Sequence, residues 1–356
     1  MLTGRRHRWS CAWQLPLVAA VVVACVAVSA CGGQASPGSS HGSTPQSITL
    51  YNGQHPETTD ALVQAFEKAT GIRVNVRNGD ENVLASQIVE EGKNSPADVI
   101  YTENSQSLQF LQEKDLLATV PASTLAKVPA RFNSPSGHWA GVSARVSVII
   151  YNTKLLPESQ LPTSVLDLAQ PKWAGKLGLA PSETDFQPII TSVVHAYGQA
   201  AALGWLEGLK KNAASHTYPD NETLTAAVNN GQVAIAIINH YYWYRLRYEM
   251  GSSNMHSRIT YFAPRDPGYV IDVSGAGVLR SSRHQPAAQR FLAFLVSKAG
   301  QEIIAHSQSY EYPLGSGVVT AQPLKPFSQL EPVPLSIAEL GDGSTAVALL
   351  HEAQLL

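Results

Sequence analysis

Cysteine is nearly absent from this sequence, and its few positions are confined to the N-terminus. The 356 residues contain three cysteines, Cys11, Cys25 and Cys31. The chain beyond residue 31 therefore has no thiol for a disulfide or for a soft-metal site, and its fold must rest on a hydrophobic core. Such a core is available, because 44% of the residues are hydrophobic.

Strong net charge and catalytic motifs are missing as well. The formal net charge is -2, which argues against a nucleic-acid-binding protein, because such proteins normally carry a basic surface. The sequence has no H-E-x-x-H motif, no P-loop and no G-x-S-x-G elbow between a strand and a helix. We therefore do not expect an enzyme. The enzymatic alternative uses His55 as a general base with Glu103 as its partner.

The first 31 residues have the pattern of an export signal. An arginine-rich stretch at 5–8 precedes an apolar run at 15–30, which is shorter than the about 20 residues of a membrane-spanning helix. Residues 28–31, VSAC, resemble a bacterial lipobox, in which the cysteine is lipidated, and residues 22–25 fit the same pattern more loosely. We expect residues 1–31 to be a lipoprotein signal peptide that ends at the lipidated Cys31.

A flexible linker follows the signal peptide. Residues 32–46, GGQASPGSSHGSTPQ, are rich in glycine, serine and proline. A lipid anchor followed by a tether predicts an exported protein that is held at the outer face of the cytoplasmic membrane.

Strand-like and helix-like segments alternate along the rest of the chain. Residues 47–52 alternate as a strand, residues 56–70 carry an apolar stripe that predicts a helix, and residues 72–76 alternate as a second strand. This spacing is typical of βαβ units, so we expect an α/β fold. The same patterns predict further strands at 97–101, 145–151, 175–179, 233–238 and 270–279, and further helices at 83–91, 185–197, 200–209, 221–230 and 286–296.

Polar side chains follow three of these strands. His55 comes after the first strand, Glu103 after the third, and the pair Tyr241 and Tyr242 after the strand at 233–238. Because open parallel sheets bind ligands at the carboxyl ends of their strands, we expect these side chains to approach one another. The alternative is that the tyrosines line a cleft or pack in the core.

An imidazole, a carboxylate and two phenols favour a hard, highly charged cation. Zinc sites prefer cysteine and histidine, and calcium sites use oxygen ligands alone. A free tyrosine has a pKa of about 10, so ionising two of them at neutral pH requires a strong local positive charge. One carboxylate and two phenolates would supply three negative charges, which neutralise Fe(III). About two positions of an octahedron would remain for water or an anion.

Several motifs together resemble the bacterial ferric-ion-binding proteins, the periplasmic iron-binding components of ABC transporters. The resemblance extends from about residue 47 to the end of the chain. It is carried by LYNGQHPE (50–57), PADVIYTEN (96–104), INHYYWY (238–244) and the spaced set RDPG, SGAGVL and EYPL (265–314).

The resemblance implies a ligand set and a fold. It assigns the ferric ion to His55, Glu103, Tyr241 and Tyr242. It also implies the type II periplasmic-binding fold, in which two α/β lobes, discontinuous in sequence, are joined by crossing strands and hold the ligand between them. The implied lobes are 47–147 with 272–322, the N-terminal lobe, and 148–271 with 323–356, the C-terminal lobe.

Many members of that family also hold a synergistic anion, such as phosphate or carbonate. The asparagines that help to hold it match Asn221 and Asn239, whereas the small residues that open a neighbouring helix are replaced by Glu183, Thr184 and Asp185. Thr184 and Asp185 thus join the asparagines as candidate anion-site residues. Acidic groups at a helix N-terminus would compete with an anion. Either an acidic residue displaces the phosphate, or carbonate replaces it, or the acids only cap the helix.

These patterns predict the lipid-anchored Fe(III)-binding component of an ABC iron importer. We expect it to act as a monomer, without nucleic acid, and to deliver iron to a permease and its ATPase. The alternative is a type II solute-binding lipoprotein for an organic cation, a phosphonate or an oxyanion, since tyrosine and tryptophan at a cleft can cage a cation.

Overall fold

One long buried strand organises the part of the chain that the computed structural model describes, residues 46–356. The predicted signal peptide, Cys31 and the linker up to residue 45 lie outside the described residues. Within residues 46–356, every helix is too short or too polar to cross a membrane.

The strands and helices alternate in the order expected of an α/β protein. The strands are β1 Ser47–Asn52, β2 Arg73–Asn78, β3 Val99–Thr102, β4 Trp139–Asn152, β5 Leu177–Gly178, β6 Ile235–Asn239, β7 Ser257–Thr260, β8 Ile271–Val278 and β9 Tyr312–Pro313. The α-helices are α1 Pro56–Thr70, α2 Glu81–Glu91, α3 Ser105–Glu113, α4 Ala122–Leu125, α5 Gln187–Tyr197, α6 Gln199–Ala213, α7 Asn221–Asn229, α8 His240–Met250, α9 Gln285–Leu295, α10 Lys298–His306, α11 Ile337–Leu340 and α12 Ser344–Glu352.

The sheet has the strand order β2-β1-β3-β8-β4-β6-β5, and β7 and β9 also pair with β4. Strand β1 is parallel to β2 and β3, and β5 is parallel to β6. The first half of β4, up to Val146, pairs with β8, and its second half, from Ser147, pairs with β6 and β7. Strand β4 therefore connects two groups of strands, as expected of a strand that crosses between lobes.

Local sequence explains the elements that lead to the site. Helix α1 begins at Pro56, whose fixed φ suits a first helical turn, and its buried stripe includes Leu62 and Phe66. It ends at Gly71, whose φ of 71° is a left-handed conformation that glycine adopts without strain. Strand β4 is buried along all 14 residues, because both of its faces are covered.

Helices α10 and α12 were not predicted, and three further differences from the predicted elements lie near the site. The helix predicted at 185–197 begins instead at Gln187, after a 3-10 turn, Thr184–Phe186. The strand predicted at 145–151 is present but extends from 139 to 152. The tyrosine pair belongs to helix α8, which was not predicted, because its aromatic-rich first turn lacks an amphipathic pattern.

Candidate metal centre

His55 is positioned by the loop that follows β1. The amide nitrogen of Asn52 donates to the carbonyl of Gln54 at 2.7 Å, and the Gly53 N–H donates to the Tyr101 carbonyl at 2.7 Å. A Cβ added at Gly53 would lie 2.7 Å from Cβ of Glu81, so this close approach requires glycine. The loop therefore holds His55 at the carboxyl end of β1 in a fixed position.

Glu103 follows β3, beside β1 in the sheet. The next residue, Asn104, is held by Glu81, whose carboxylate accepts the Asn104 N–H at 2.9 Å and the Asn104 amide at 3.1 Å. The Glu103 side chain is 19% exposed, and its Oε1 lies 3.0 Å from Nδ1 of His55. The two residues thus meet at one edge of the sheet, as predicted from their places after parallel strands.

The two tyrosines come from the first turn of α8. Both are buried, with 0% exposure for Tyr241 and 4% for Tyr242, and their ring centroids are 4.2 Å apart. The Tyr241 ring meets the His55 ring edge-on at 5.1 Å. Its hydroxyl lies 3.4 Å from Oε2 of Glu103 and 3.1 Å from Oδ2 of Asp185. Imidazole, carboxylate and phenol therefore converge from separate parts of the chain.

A buried arginine, Arg145 on β4, supports this cluster. Its guanidinium forms an ion pair with Glu311 and lies 3.7 Å from Glu103 Oε2 and 3.8 Å from Asp185 Oδ1. It also lies over the Tyr241 ring, 5.2 Å from the ring centroid. Burial alone would lower the pKa of Arg145, but the surrounding phenol and carboxylates raise it overall. Arg145 is therefore a permanent positive charge that partly balances the acidic side chains.

Burial sets the protonation of the four predicted ligands. It lowers the pKa of His55 well below its usual range, and the guanidinium groups of Arg245 and Arg145 lower it further. The imidazole is thus neutral, as a metal ligand must be. Burial, with the carboxylate of Asp185, raises the pKa of Tyr241 and Tyr242 well above the usual value. In the absence of a cation both phenols keep their protons, and the Tyr241 hydroxyl donates a hydrogen bond to the Asp185 carboxylate.

Glu103 is the carboxylate of the predicted set. Burial raises its pKa well above the usual range, and the positive charge of Arg145 opposes this shift. A multivalent cation beside Glu103 would favour its ionised form, as it would for the phenols.

Asp185 lies inside the predicted anion site. It is 5% exposed, and its Oδ1 accepts the Asn104 amide at 3.0 Å while its Oδ2 lies 3.4 Å from the Asn221 amide. The Thr184 hydroxyl accepts the same Asn104 amide at 2.9 Å. Asp185 therefore neither caps a helix nor faces solvent, which excludes the capping alternative for this residue. Asn239 is buried at the end of β6, next to the tyrosines, but makes no contact with Asp185 within hydrogen-bond distance.

Glu183 has a different environment from Asp185. Its Oε1 accepts the backbone N–H of Asn221 at 3.3 Å, at the beginning of α7. Burial raises the pKa of Glu183 to about 8, with further contributions from Asp185 and Glu222. The two acidic residues thus have separate roles, and only Asp185 reaches Tyr241.

The remaining space beside Asp185 is very small. A cavity lined by Asp185, Asn221, Ile237 and Ile238 has a volume of about 10 Å³. This is about the room needed for one water molecule. A phosphate ion does not fit there in this conformation.

Three charged residues that contact the site were not predicted from the sequence. Arg145 and Glu311 are both buried and bonded to each other, and Arg245 on α8 lies 3.1 Å from Nδ1 of His55. A signal for Arg145 was present, because a charge at the start of the apolar run RVSVIIY requires a buried partner. No local signal marks Arg245, whose contact with His55 spans 190 positions in the chain.

The donor set distinguishes this centre from a zinc-type or calcium-type site. Within residues 46–356, no group of three or more His, Cys, Asp or Glu side chains is arranged to hold a metal ion. A metal centre at this position therefore depends on its tyrosines. The Nε2 atom of His55 is buried and has no hydrogen-bond partner within the described residues, which leaves one imidazole nitrogen free for a cation.

Comparison with known proteins identifies the family. The sequence model of the bacterial extracellular solute-binding proteins matches residues 52–307. An Fe(3+)-binding periplasmic protein of Serratia marcescens is 39% identical over 319 residues, 90% of this chain and 94% of that protein. The major ferric iron-binding protein of Neisseria meningitidis is 40% identical over 308 residues, covering 86% and 92%. Iron-bound HitA from Pseudomonas aeruginosa aligns with a TM-score of 0.83 and 45% identity, covering 87% and 99%.

The chain therefore belongs to the bacterial extracellular solute-binding proteins. Its fold is the two-lobed type II periplasmic-binding fold that the sequence predicted. Within this class it is a member of the periplasmic ferric-ion-binding proteins, as the four sequence motifs indicated.

Proposed function

We propose that this protein binds ferric ion through His55, Glu103, Tyr241 and Tyr242 and carries it to an ABC importer. The observation that carries this proposal is the convergence of one imidazole, one carboxylate and two phenols. Tyr241 lies 5.1 Å from His55 between ring centroids and 3.4 Å from Glu103 between oxygens. Iron binding by relatives of the same family supports the assignment of iron as the cargo.

The charges of the four ligands favour a trivalent ion. Glu103 and two phenolates supply three negative charges, and neutral His55 supplies none. The high pKa values of the phenols make the site selective, because only a strongly polarising cation can displace two phenolic protons. A divalent ion offsets less of the free energy needed to deprotonate two phenols and binds hard anionic oxygens more weakly.

We further propose that Asp185 takes the place of a synergistic anion. Its carboxylate already contacts the Asn221 amide, which the family resemblance assigns to anion binding, at 3.4 Å. It also lies 3.8 Å from the guanidinium of Arg145. The cavity beside it, of about 10 Å³, leaves no room for a phosphate ion in this conformation, which supports the proposal.

Two lobes that close over the ion fit the positions of these residues. We propose the lobes 47–147 with 272–322 and 148–271 with 323–356. The change of partner along β4, from β8 up to Val146 to β6 from Ser147, supports a boundary at this point. His55 and Glu103 then belong to one lobe and the tyrosines to the other, so hinge opening would separate the two halves of the ligand set.

Export and membrane attachment complete the proposed function. We propose that the chain is lipidated at Cys31 and tethered through residues 32–46 at the outer face of the cytoplasmic membrane, where it meets a permease as a monomer. Acid or reduction would favour release, because protons compete for phenolate and Fe(II) is a weaker match to hard anionic ligands.

The test of iron binding is a visible titration. Iron-free protein is titrated with ferric nitrilotriacetate, and absorbance from phenolate-to-iron charge transfer is recorded. We expect the absorbance to saturate at about one iron per chain, as for a single binding site. A colourless protein that instead binds a small organic cation would contradict the proposal and support an organic-ligand transporter.

A further inference from the structure

Helix α8 carries a second group of side chains on the face opposite to the tyrosine pair. At 100° per residue, Trp243 and Arg247 lie on one side of the helix, and Tyr241 and Arg245 lie on the other. Trp243, Tyr244 and Arg247 line a cavity of about 520 Å³ together with Arg258, Tyr261 and Lys325. We call these six residues the α8 rear pocket. Its volume falls within the range of about 300–1,000 Å³ found for small-molecule sites.

The charge of the α8 rear pocket has one sign. Among the residues that the structure describes, its lining contains Arg247, Arg258 and Lys325 and no acidic residue. Across residues 46–356, the ion pairs involve other side chains, and none includes these three cations. Three cations around one cavity without carboxylates raise the local concentration of anions and repel cations.

Two of the three cations are held in place by aromatic rings. The Arg247 guanidinium lies 5.4 Å from the Trp243 ring centroid, and its Nε donates to the Ser252 hydroxyl at 3.0 Å. The Lys325 ammonium lies 4.7 Å from the Tyr261 ring centroid. A guanidinium stacked on a ring keeps its in-plane N–H groups available for an oxyanion. These contacts restrict the two side chains and so reduce the side-chain entropy that ligand binding would cost.

We propose that the α8 rear pocket binds a compact organic polyanion, with at least two carboxylate groups on an apolar body. The three cations select the carboxylates, and the aromatic and aliphatic lining, which includes Ile259 and Met255, accepts the apolar body. The cavity is much larger than an inorganic oxyanion requires. The site shares no residue with the proposed iron ligands and is therefore independent of the proposed iron function.

The experiment is calorimetric titration with benzene-1,3,5-tricarboxylate, whose carboxylates are too far apart to chelate one iron atom together. Binding to iron-free protein is expected at one site and should weaken as salt is raised, because the contacts are charged. Arg247→Gln and Lys325→Gln should each weaken binding about tenfold or more. Arg290→Gln, an exposed arginine on α9, is the matched control and should bind as the wild type does.

Two further measurements make the outcome decisive. The Arg247 and Lys325 variants should keep the circular dichroism spectrum and thermal unfolding midpoint of the wild type, which shows that they are folded whether or not the protein binds iron. Inorganic phosphate and phosphatidylglycerol vesicles are titrated in parallel. Binding of the tricarboxylate that is equal in all variants, or no tighter than that of phosphate, would overturn the proposal. So would vesicle binding that depends on Arg247 and Lys325 without any binding of the tricarboxylate.

Discussion

The two halves of the candidate metal centre are built in different ways. His55 and Glu103 lie on loops after neighbouring parallel strands and already contact each other at 3.0 Å. Tyr241 and Tyr242 lie on the first turn of a helix, are almost fully buried and keep their protons. In the proposed ligand set, the first half would supply one negative charge and a neutral imidazole, and the second would supply two negative charges once a cation displaces both phenolic protons. We therefore propose that selectivity for a trivalent ion depends mainly on the tyrosine half.

Removal of both phenols breaks the tyrosine half and should have the largest effect. Tyr241→Phe with Tyr242→Phe keeps the ring packing but removes two anionic ligands, so ferric affinity should fall at least about 10,000-fold. Competition with a chelator of known affinity measures this change. Tyr197→Phe alters an exposed tyrosine on α5 and should leave affinity unchanged. A loss of less than about tenfold in the double variant would remove the tyrosines from the proposed ligand set.

Neutralising the single charge of the loop half should have the next largest effect. Glu103→Gln keeps the shape of the side chain and removes one anionic ligand, so we expect an affinity loss of about 100-fold to 1,000-fold. The same competition assay applies, with Glu113→Gln, an exposed residue of α3, as the control. An affinity loss as large as that of the double tyrosine change would contradict the larger contribution assigned to the tyrosine half.

The pH dependence of iron binding depends on the protons of the tyrosine half. The pKa values of both phenols are raised in the iron-free protein, so ferric binding releases their protons, and affinity must fall as pH falls. Two released protons correspond to a loss of about 100-fold per pH unit, and any proton that Glu103 also releases steepens this dependence. Affinities measured between about pH 6 and 8, corrected for protonation of the competing chelator, test this. Affinity that does not vary with pH would show that the phenols are already ionised.

Asp185 links the two halves, because its carboxylate accepts hydrogen bonds from the Tyr241 hydroxyl and from the side-chain amide of Asn104, the residue after Glu103. In the wild type, added phosphate should leave ferric affinity unchanged. Asp185→Ala should lower affinity about 10-fold to 100-fold and make it respond to phosphate, because the removed carboxylate frees an anion-sized space beside Arg145. Phosphate analysis of the iron-loaded proteins is the direct readout. One phosphate per iron in the wild type would overturn the proposed role of Asp185.

His55 should be the least costly ligand to replace. It is neutral, and Gln offers an uncharged oxygen in a similar place, so His55→Gln should lower ferric affinity by only about tenfold. The charge-transfer colour should persist in this variant, because both phenolates remain. Loss of the colour would mean that His55 is needed to assemble the tyrosine half.

Strands and helices that depend on patterns among neighbouring residues were predictable from the sequence. The alternation at 47–52 and the stripe at 56–70 gave both elements their observed bounds, because strand and helix periodicity are read from neighbouring residues. The ends of β1, β3 and β6 indicated where polar groups would meet. The contact between Arg145 and Glu311 was not predictable, because 166 positions separate the two residues and only the folded sheet brings them together.

The helix that carries the tyrosines illustrates a second limit. Its sequence, HYYWYRLRYEM, has aromatic and charged residues on every side, because one face meets the metal centre and another lines the α8 rear pocket. A helix with aromatic and charged side chains on two faces lacks the single apolar stripe on which helix prediction relies. The burial of Asp185 was not predictable from the sequence, because it depends on packing between segments that are far apart in the chain. Its proposed role was therefore only one of several alternatives.

The resonance Raman spectrum of the iron-loaded protein, excited within its visible absorption band, tests directly whether the two tyrosines bind iron. If Tyr241 and Tyr242 hold ferric ion as phenolates, the ring vibrations of iron-bound tyrosinate will be strongly enhanced, and they will disappear in the double phenylalanine variant. An iron-loaded wild type whose spectrum lacks these vibrations would contradict the account.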